Sequence, residues 1–412
     1  MAISMIGRAL AASLLCLAVA GSATPPPAPL WVGSWASSQQ IPEDRNALPD
    51  ADLRDATLRQ IVRVSVGGDR FRVLLSNAFG TAPLRIDAAH VALSLDRATS
   101  RIDPKSDHTL TFDGAPDVVI PAGASYLSDS VEFPVEALKS LAITIHLPDA
   151  PHGQTSHPGS RATSWLVHGN QVGAPELANA KGVEHWFQLA GVEVNAYGAR
   201  AIVTLGDSIT DGHGATTNGD DRWPDRLADR LQASAATRNV AVLNHGVGGG
   251  RLLLDGLGPN ALARFERDVI AQTGVRYLIV LEGVNDLGTF TRDAPQSVEA
   301  HASLVARIIA SYRQMVARAR AHDIKAIGAT ILPYGGSDYY HPDAANEADR
   351  QAINRWIRTP GNFDAVVDFD ALTRDPANPM RMKPAYDSGD HLHPSAAGYR
   401  AMADSIPLEL FR

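Results

Sequence analysis

The sequence predicts an α/β chain in two parts: a smaller all-β sandwich or jelly roll, then a parallel sheet sandwiched by helices. Three observations predict it. At 412 residues the chain exceeds one ordinary domain, and 45% hydrophobic with 20% charged residues is a globular composition. From residue 30 to about 194, short apolar runs recur between turn signals, the pattern of many short strands. Beyond that point strands alternate with helical stretches, and each strand is a continuous apolar run, as a parallel sheet covered on both faces requires.

The first element is a targeting segment. Arg8 precedes the apolar stretch 9–20, and Ala18, Ala20, Gly21 and Ala23 offer cleavage sites, so residues 1–23 read as an export signal. About twelve apolar residues cannot span a bilayer core of about 30 Å. A periplasmic or extracellular protein without stable membrane insertion is therefore expected. Cys16, the one cysteine of the chain, lies inside this stretch and lacks the small preceding residue of a lipidated cysteine. Signal removal would leave no cysteine, and the fold would rest on core burial.

A Pro-rich linker at 24–29 leads into the all-β part, residues 30–196. Strands are expected at 58–66, 70–75, 91–95, 108–112, 118–120, 141–147 and 161–167. Gly67-Gly68-Asp69 between the first two reads as a hairpin turn with positive-φ residues. No cluster in this part resembles a catalytic site. Trp31, Trp35 and Trp165 could stack on sugars if exposed; burial in a core is the competing reading.

Residues 197–412 form the second part. Strands are expected at 201–205, 239–244, 276–281, 325–331 and 365–369, with helices at 224–233, 261–272, 297–321, 345–358 and 395–405. Ligands of open α/β sheets bind at the carboxyl ends of strands. The first strand runs into Gly206-Asp207-Ser208, which makes Ser208 a candidate nucleophile. After the second comes Asn244-His245-Gly246-Val247-Gly248-Gly249-Gly250, and after the third Glu282-Gly283-Val284-Asn285-Asp286. Glycines let a backbone N–H approach a ligand and an Asn amide supplies a neutral donor, which together suit an oxyanion; a tight turn is the bland reading of the glycines. A dinucleotide fingerprint fails because Arg251 stands where the third glycine belongs. Ser208 does not sit on a G-x-S-x-G elbow either, since Thr210 replaces its last glycine.

The last polar block is Asp387-Ser388-Gly389-Asp390-His391-Leu392-His393-Pro394. A three-residue separation lets the Asp390 carboxylate turn back onto His393, leaving the other ring nitrogen for Ser208. Pro394 suits the start of the final helix. Metal binding by Asp387, Asp390, His391 and His393 is the competing chemistry; the zinc helix motif is missing, and His391 is expected to point away. Tyr334, Tyr339 and Tyr340, near the fourth strand, could face a polar ring-shaped ligand or simply pack. A net charge of -8 without a Lys/Arg block argues against nucleic acid as a partner.

Taken together and in this order, the four blocks resemble those of the SGNH (GDSL) hydrolases, over about residues 201–412. The resemblance implies Ser208 as nucleophile and Asp390 and His393 as the rest of a triad. It also implies the Ser208 amide, Gly249 and Asn285 as oxyanion donors, with Gly248 the alternative to Gly249. Trp31-Val32-Gly33-Ser34-Trp35 and Arg251-Leu252-Leu253-Leu254-Asp255 further resemble secreted bacterial members grouped with xylan-cluster esterases. What this implies is a secreted serine esterase without cofactor or metal, acting on short acyl esters, with acetyl groups on carbohydrate as the expected substrate. A lipase, lysophospholipase or arylesterase is the alternative, against which no long apolar lid segment is read. A carbohydrate-binding protein with an inactive hydrolase fold is opposed by intact Ser208, Asn285 and His393.

Overall fold

The computed structural model describes residues 31–412. The expected export signal, linker and Cys16 lie outside the described residues. Among the described residues, no helix is long and apolar enough to cross a membrane.

Five parallel strands form the centre of the second part, in the spatial order Val240–Gly246, Arg200–Gly206, Val275–Leu281, Lys325–Ala329, Ala365–Val367. Their apolar residues are buried because helices cover both faces of the sheet. Chain order reverses at Arg200–Gly206, and a doubly wound sheet opens its ligand crevice beyond such a reversal. The expected helices appear at Trp223–Ala233, Val298–Ala321, Ala344–Arg358 and Ala396–Ser405, and Ala261–Phe265 continues as a π-helical turn, Glu266–Ile270. Ser297, Asp343 and Ser395 cap three of them by accepting backbone N–H bonds. Three short helices, Ser208–Asp211, Val284–Thr291 and Phe369–Thr373, were not expected; they are too brief to display a 3.6-residue period.

The preceding part is all-β, built chiefly from two antiparallel sheets. One orders Trp31–Ala36, Leu189–Asn195, Phe71–Ser76 and Ser125–Leu127; the other orders Lys181–Val183, Ser164–His168, Ala56–Arg63, Ser140–Leu147, Ala88–Leu93 and His108–Thr109. The hairpin expected around Gly67-Gly68-Asp69 does not form. Ala56–Arg63 pairs with Ser140–Leu147 and Ser164–His168, whereas Phe71–Ser76 pairs with Leu189–Asn195 in the other sheet. The segment is an arch between sheets, and its residues do not have positive φ. Its glycines serve close approach instead: a Cβ on Gly67 or Gly68 would strike the carbonyl oxygens of Val135 and Asn195.

The two parts share one continuous apolar core. The Val242 N–H donates to Ser65 Oγ (3.0 Å), which donates to the Ser34 carbonyl (2.6 Å), so the front sheets lie against the edge strand Val240–Gly246. Covering that edge removes a template for stray strand pairing. None of the three tryptophans considered as sugar platforms is exposed. Trp35 packs edge-on against Trp186 with ring centroids 4.8 Å apart, and Trp31 lies beneath the Arg72 guanidinium.

Candidate active site

Ser208 opens the first helical turn after the Arg200–Gly206 strand. Asp207 caps that turn by accepting from the Ile209 N–H (2.9 Å), and Gly212, at φ 100°, ends it. The turn points Ser208 Oγ at His393, 2.8 Å from Nε2. On the other side of the ring, Nδ1 lies 2.6 Å from Asp390 Oδ2, while Asp390 Oδ1 accepts the N–H groups of Leu392 and His393. Burial works to raise the Asp390 pKa, but the side-chain and backbone bonds from His393 outweigh it and hold the carboxyl below its ordinary range. Residues far apart in sequence thus form one hydrogen-bonded line from hydroxyl to imidazole to carboxylate.

The glycine run meets this line from the side. Gly248 N–H donates to Asp211 Oδ2 (3.1 Å) and Gly250 N–H to the Val247 carbonyl (2.8 Å). Among the described residues, the N–H groups of Ser208 and Gly249 donate to no acceptor. Gly249, at φ 67°, is therefore the glycine with a donor to spare, and Gly248 is occupied. Asn285 sits at the start of Val284–Thr291; its Nδ2 donates to the Gly250 carbonyl (2.7 Å), and its Oδ1 accepts from the Tyr340 hydroxyl (2.6 Å). Burial pushes the Tyr340 pKa up, so the hydroxyl stays a donor. That bond fixes which end of the amide is which, and an amide nitrogen has a second hydrogen left to give.

Several side chains around the line had no signal in the sequence. His213 stands with its ring 4.1 Å from that of His393 and its Nε2 4.0 Å from Asp390 Oδ2. Burial, then the neighbouring His393 and Arg161, push its pKa down to about 4. Arg161 Nη2 donates to His213 Nδ1 (3.1 Å), so the ring proton belongs on Nε2, facing Asp390. Asp211 is shared: its Oδ2 holds Gly248, while its Oδ1 lies 2.9 Å from His157 Nε2, and His157 Nδ1 lies 2.8 Å from the Ser38 carbonyl. The front part, in which no site cluster was read, thus reaches the helical turn that carries Ser208. Its contribution is invisible in sequence because 54 residues and a change of fold type separate His157 from Asp211.

Beneath Ser208 lies a buried group of charges. Arg264 donates to Glu282 Oε1 (3.1 Å), to Asp268 Oδ2 (3.1 Å) and to the carbonyls of Gly206 and His245. Burial, together with mutual repulsion, raises the pKa values of Asp207 and Glu282. Asp286 is pushed up to about 6 by burial, although it accepts the N–H groups of Leu252 and Leu253 and so pins the segment after the glycine run.

The four residues weighed as metal ligands do not converge. His391 Nδ1 pairs with Asp387 Oδ2 at 2.6 Å, apart from the Ser208 line. His213 instead joins Asp390 and His393 in a group whose donor atoms lie within 4.8 Å of one another. Two of those three are already bonded to each other. Of the three tyrosines, Tyr334 and Tyr340 are buried and only Tyr339 is exposed. A cleft of about 1160 Å³ opens beside Ser208, lined by Asn285 and His393 and rimmed by Leu254, Phe290, Tyr339 and Arg307.

Residues 204–401 match the GDSL-like Lipase/Acylhydrolase family. No curated protein matches the chain. Among solved structures, it is similar to a lipolytic protein of the G-D-S-L family from Desulfitobacterium hafniense DCB-2, at 22% identity over 50% of this chain and 96% of that one (TM-score 0.38). It is also similar to a GDSL-like lipase from Bacteroides thetaiotaomicron VPI-5482, at 20% identity over 50% and 84% (TM-score 0.37). A catalytic mutant of an acetylxylan esterase from Geobacillus stearothermophilus is similar at 21% identity over 50% and 91% (TM-score 0.38).

Proposed function

We propose that this chain, whose residues 204–401 belong to the GDSL-like lipase/acylhydrolase family and which is thereby a carboxylic ester hydrolase, works as an exported serine esterase on short-chain acyl esters, acetyl groups on carbohydrate foremost. The observation that carries the mechanism is the line of bonds from Ser208 Oγ to His393 Nε2 (2.8 Å) and from His393 Nδ1 to Asp390 (2.6 Å). His393 takes the Ser208 proton as Oγ bonds to the ester carbonyl carbon, and the carbonyl electrons become an oxyanion. The Ser208 and Gly249 amides and the free hydrogen of Asn285 Nδ2 face that charge. Collapse breaks the bond to the alcohol, which leaves with the proton from His393. Water then attacks the acyl-serine, gives its proton to His393, and the acid departs as Ser208 recovers its hydrogen. Asp390 orients the ring throughout and stabilises its cation.

The substrate part of the reading rests on the resemblance to xylan-cluster esterases and on the expected export. The apolar rim of Leu254, Phe290 and Tyr339 favours a second reading, an arylesterase or lipase with a bulky apolar alcohol. One panel separates them: acetate esters of phenols, fatty alcohols and xylo-oligosaccharides, followed by acetate release from acetylxylan. Faster turnover of acetylated oligosaccharide than of aryl or alkyl acetate is the expected result. Indifference to the sugar would leave the arylesterase or lipase reading.

A further inference from the structure

Two adjoining clefts share Arg45, Ser208, His213, Gly248 and Leu257, while His393, Gly249 and Asn285 line only the larger. The smaller, about 140 Å³, lies on the side of the front β part. Gln40, Ile41, Pro158 and Gly159 from that part line it together with Ser208, Gly248 and Leu257.

Chemistry assigns the two spaces. The group that returns a proton to the departing alcohol must stand beside the alcohol oxygen, and that group is His393. The alcohol therefore occupies the large cleft, which His393 lines. With the carbonyl oxygen turned to the Gly249 and Asn285 donors, the space left for the remaining substituent of the carbonyl carbon runs past Gly248, which lines both clefts, toward Asp211, which lines the small one alone. Building on the serine esterase mechanism above, we infer that the small cleft is the acyl site, and that the front β part sets the acyl length this enzyme accepts.

The walls are built to be fixed. Gln40 Nε2 donates to the Leu257 carbonyl (3.0 Å), tying the front part to the segment after the glycine run. Gly159 packs directly on the Asp211 carboxylate, where a Cβ would collide. The cleft's space of about 140 Å³ is roughly that of one benzene ring, so an acyl group of up to about six carbons fills it. Within this cleft Arg161 brings a guanidinium whose Nη2 bonds His213 and which forms no ion pair among the described residues, so the lining is not wholly apolar. A short acyl group fits such a lining better than a fatty one.

Ile41 and Tyr339 provide the crossed test, because each lines one cleft alone and each is exposed enough to replace without disturbing the core. Two series are measured as kcat/KM: p-nitrophenyl esters from acetate to octanoate, and acetates of alcohols of increasing size. Ile41→Ala is expected to raise hexanoate and octanoate relative to acetate by up to about fourfold per methylene newly accommodated, and Ile41→Trp to lower the acyl limit. Neither should alter the alcohol series, whereas Tyr339→Ala should alter that series alone. An Ile41 effect on alcohols in place of acyl chains would exchange the sites and overturn the assignment. So would the absence of an effect on either series in both Ile41 variants. Phosphonate labelling of Ser208 in every variant keeps the two failures apart: loss of labelling in the native enzyme refutes the mechanism, while intact labelling with unmoved acyl profiles refutes the acyl site alone.

Discussion

Two histidine–aspartate pairs flank the helical turn Ser208–Asp211, and they are built in opposite ways. His393 and Asp390 are three residues apart and partly open, with side chains 10% and 42% exposed. His157 and Asp211 come from different parts of the chain and are closed, at 3% and 5%. In the first pair one ring nitrogen is committed to the carboxylate and the other meets a hydroxyl, with which it can exchange a proton. In the second both nitrogens are engaged, one by the Ser38 carbonyl and the other by Asp211. A base needs a free nitrogen; a brace uses both. Through Asp211 the brace also holds the Gly248 N–H, the amide next to that of Gly249.

The contrast can be broken at either pair. His393→Ala should show the largest effect, a loss of roughly 10⁴–10⁶ in kcat on p-nitrophenyl acetate, with little change in Tm because the pair is partly solvated. Next comes the oxyanion side: Asn285→Ala should cost about 10²–10³ in kcat with KM nearly constant. An effect on KM alone would make Asn285 a ground-state binder. His157→Phe should reverse the balance between activity and stability. It leaves the Asp211 carboxylate buried without its partner, which costs roughly 3–5 kcal/mol of stability in a denaturant titration, while kcat falls only about 10- to 100-fold. Stability unchanged in that variant would show that the second pair braces nothing.

Two smaller effects sharpen the picture. Burial raises the Asp286 pKa from 3.8 to about 6 on folding, so the folded state binds its proton more tightly than the unfolded chain. This contribution to stability is complete below about pH 4 and is lost as pH rises through about 6. Asp286→Asn should flatten the denaturation midpoint over that window. Tyr340→Phe removes the bond that sets the Asn285 amide while keeping the ring, and should lower kcat a few-fold with KM unmoved.

What the sequence disclosed, and what it concealed, follows the same divide. The five parallel strands were legible because each is a continuous buried run, and the Asp390–His393 contact because both partners sit on one turn. Ser208 and Asn285 were found as polar residues at strand ends. The arch at Gly67-Gly68-Asp69 was misread because glycines needed for close backbone approach look the same as glycines needed for positive φ. Strands Trp31–Ala36 and Leu189–Asn195 escaped notice, since their pairing spans the whole front part. His157 and Arg161 could not be assigned for a related reason: no local period links the front part to the turn that carries Ser208, and His213, just past that turn, gains its place only from its contacts with Arg161 and His393. Only Asp211, three residues beyond Ser208, carried a positional hint.

The pairing of Trp31 with Asn195 has a consequence for how the chain acquires its shape. A front sheet that contains both its earliest and its latest strand cannot be completed as the first residues leave the ribosome; it must wait until nearly two hundred residues are available. Its docking strand, Val240–Gly246, is made later still. Contacts of such sequence separation slow folding, because loop closure must precede any reward from burial. The molecule should therefore gain native structure late, once the strands far apart in sequence can all pair.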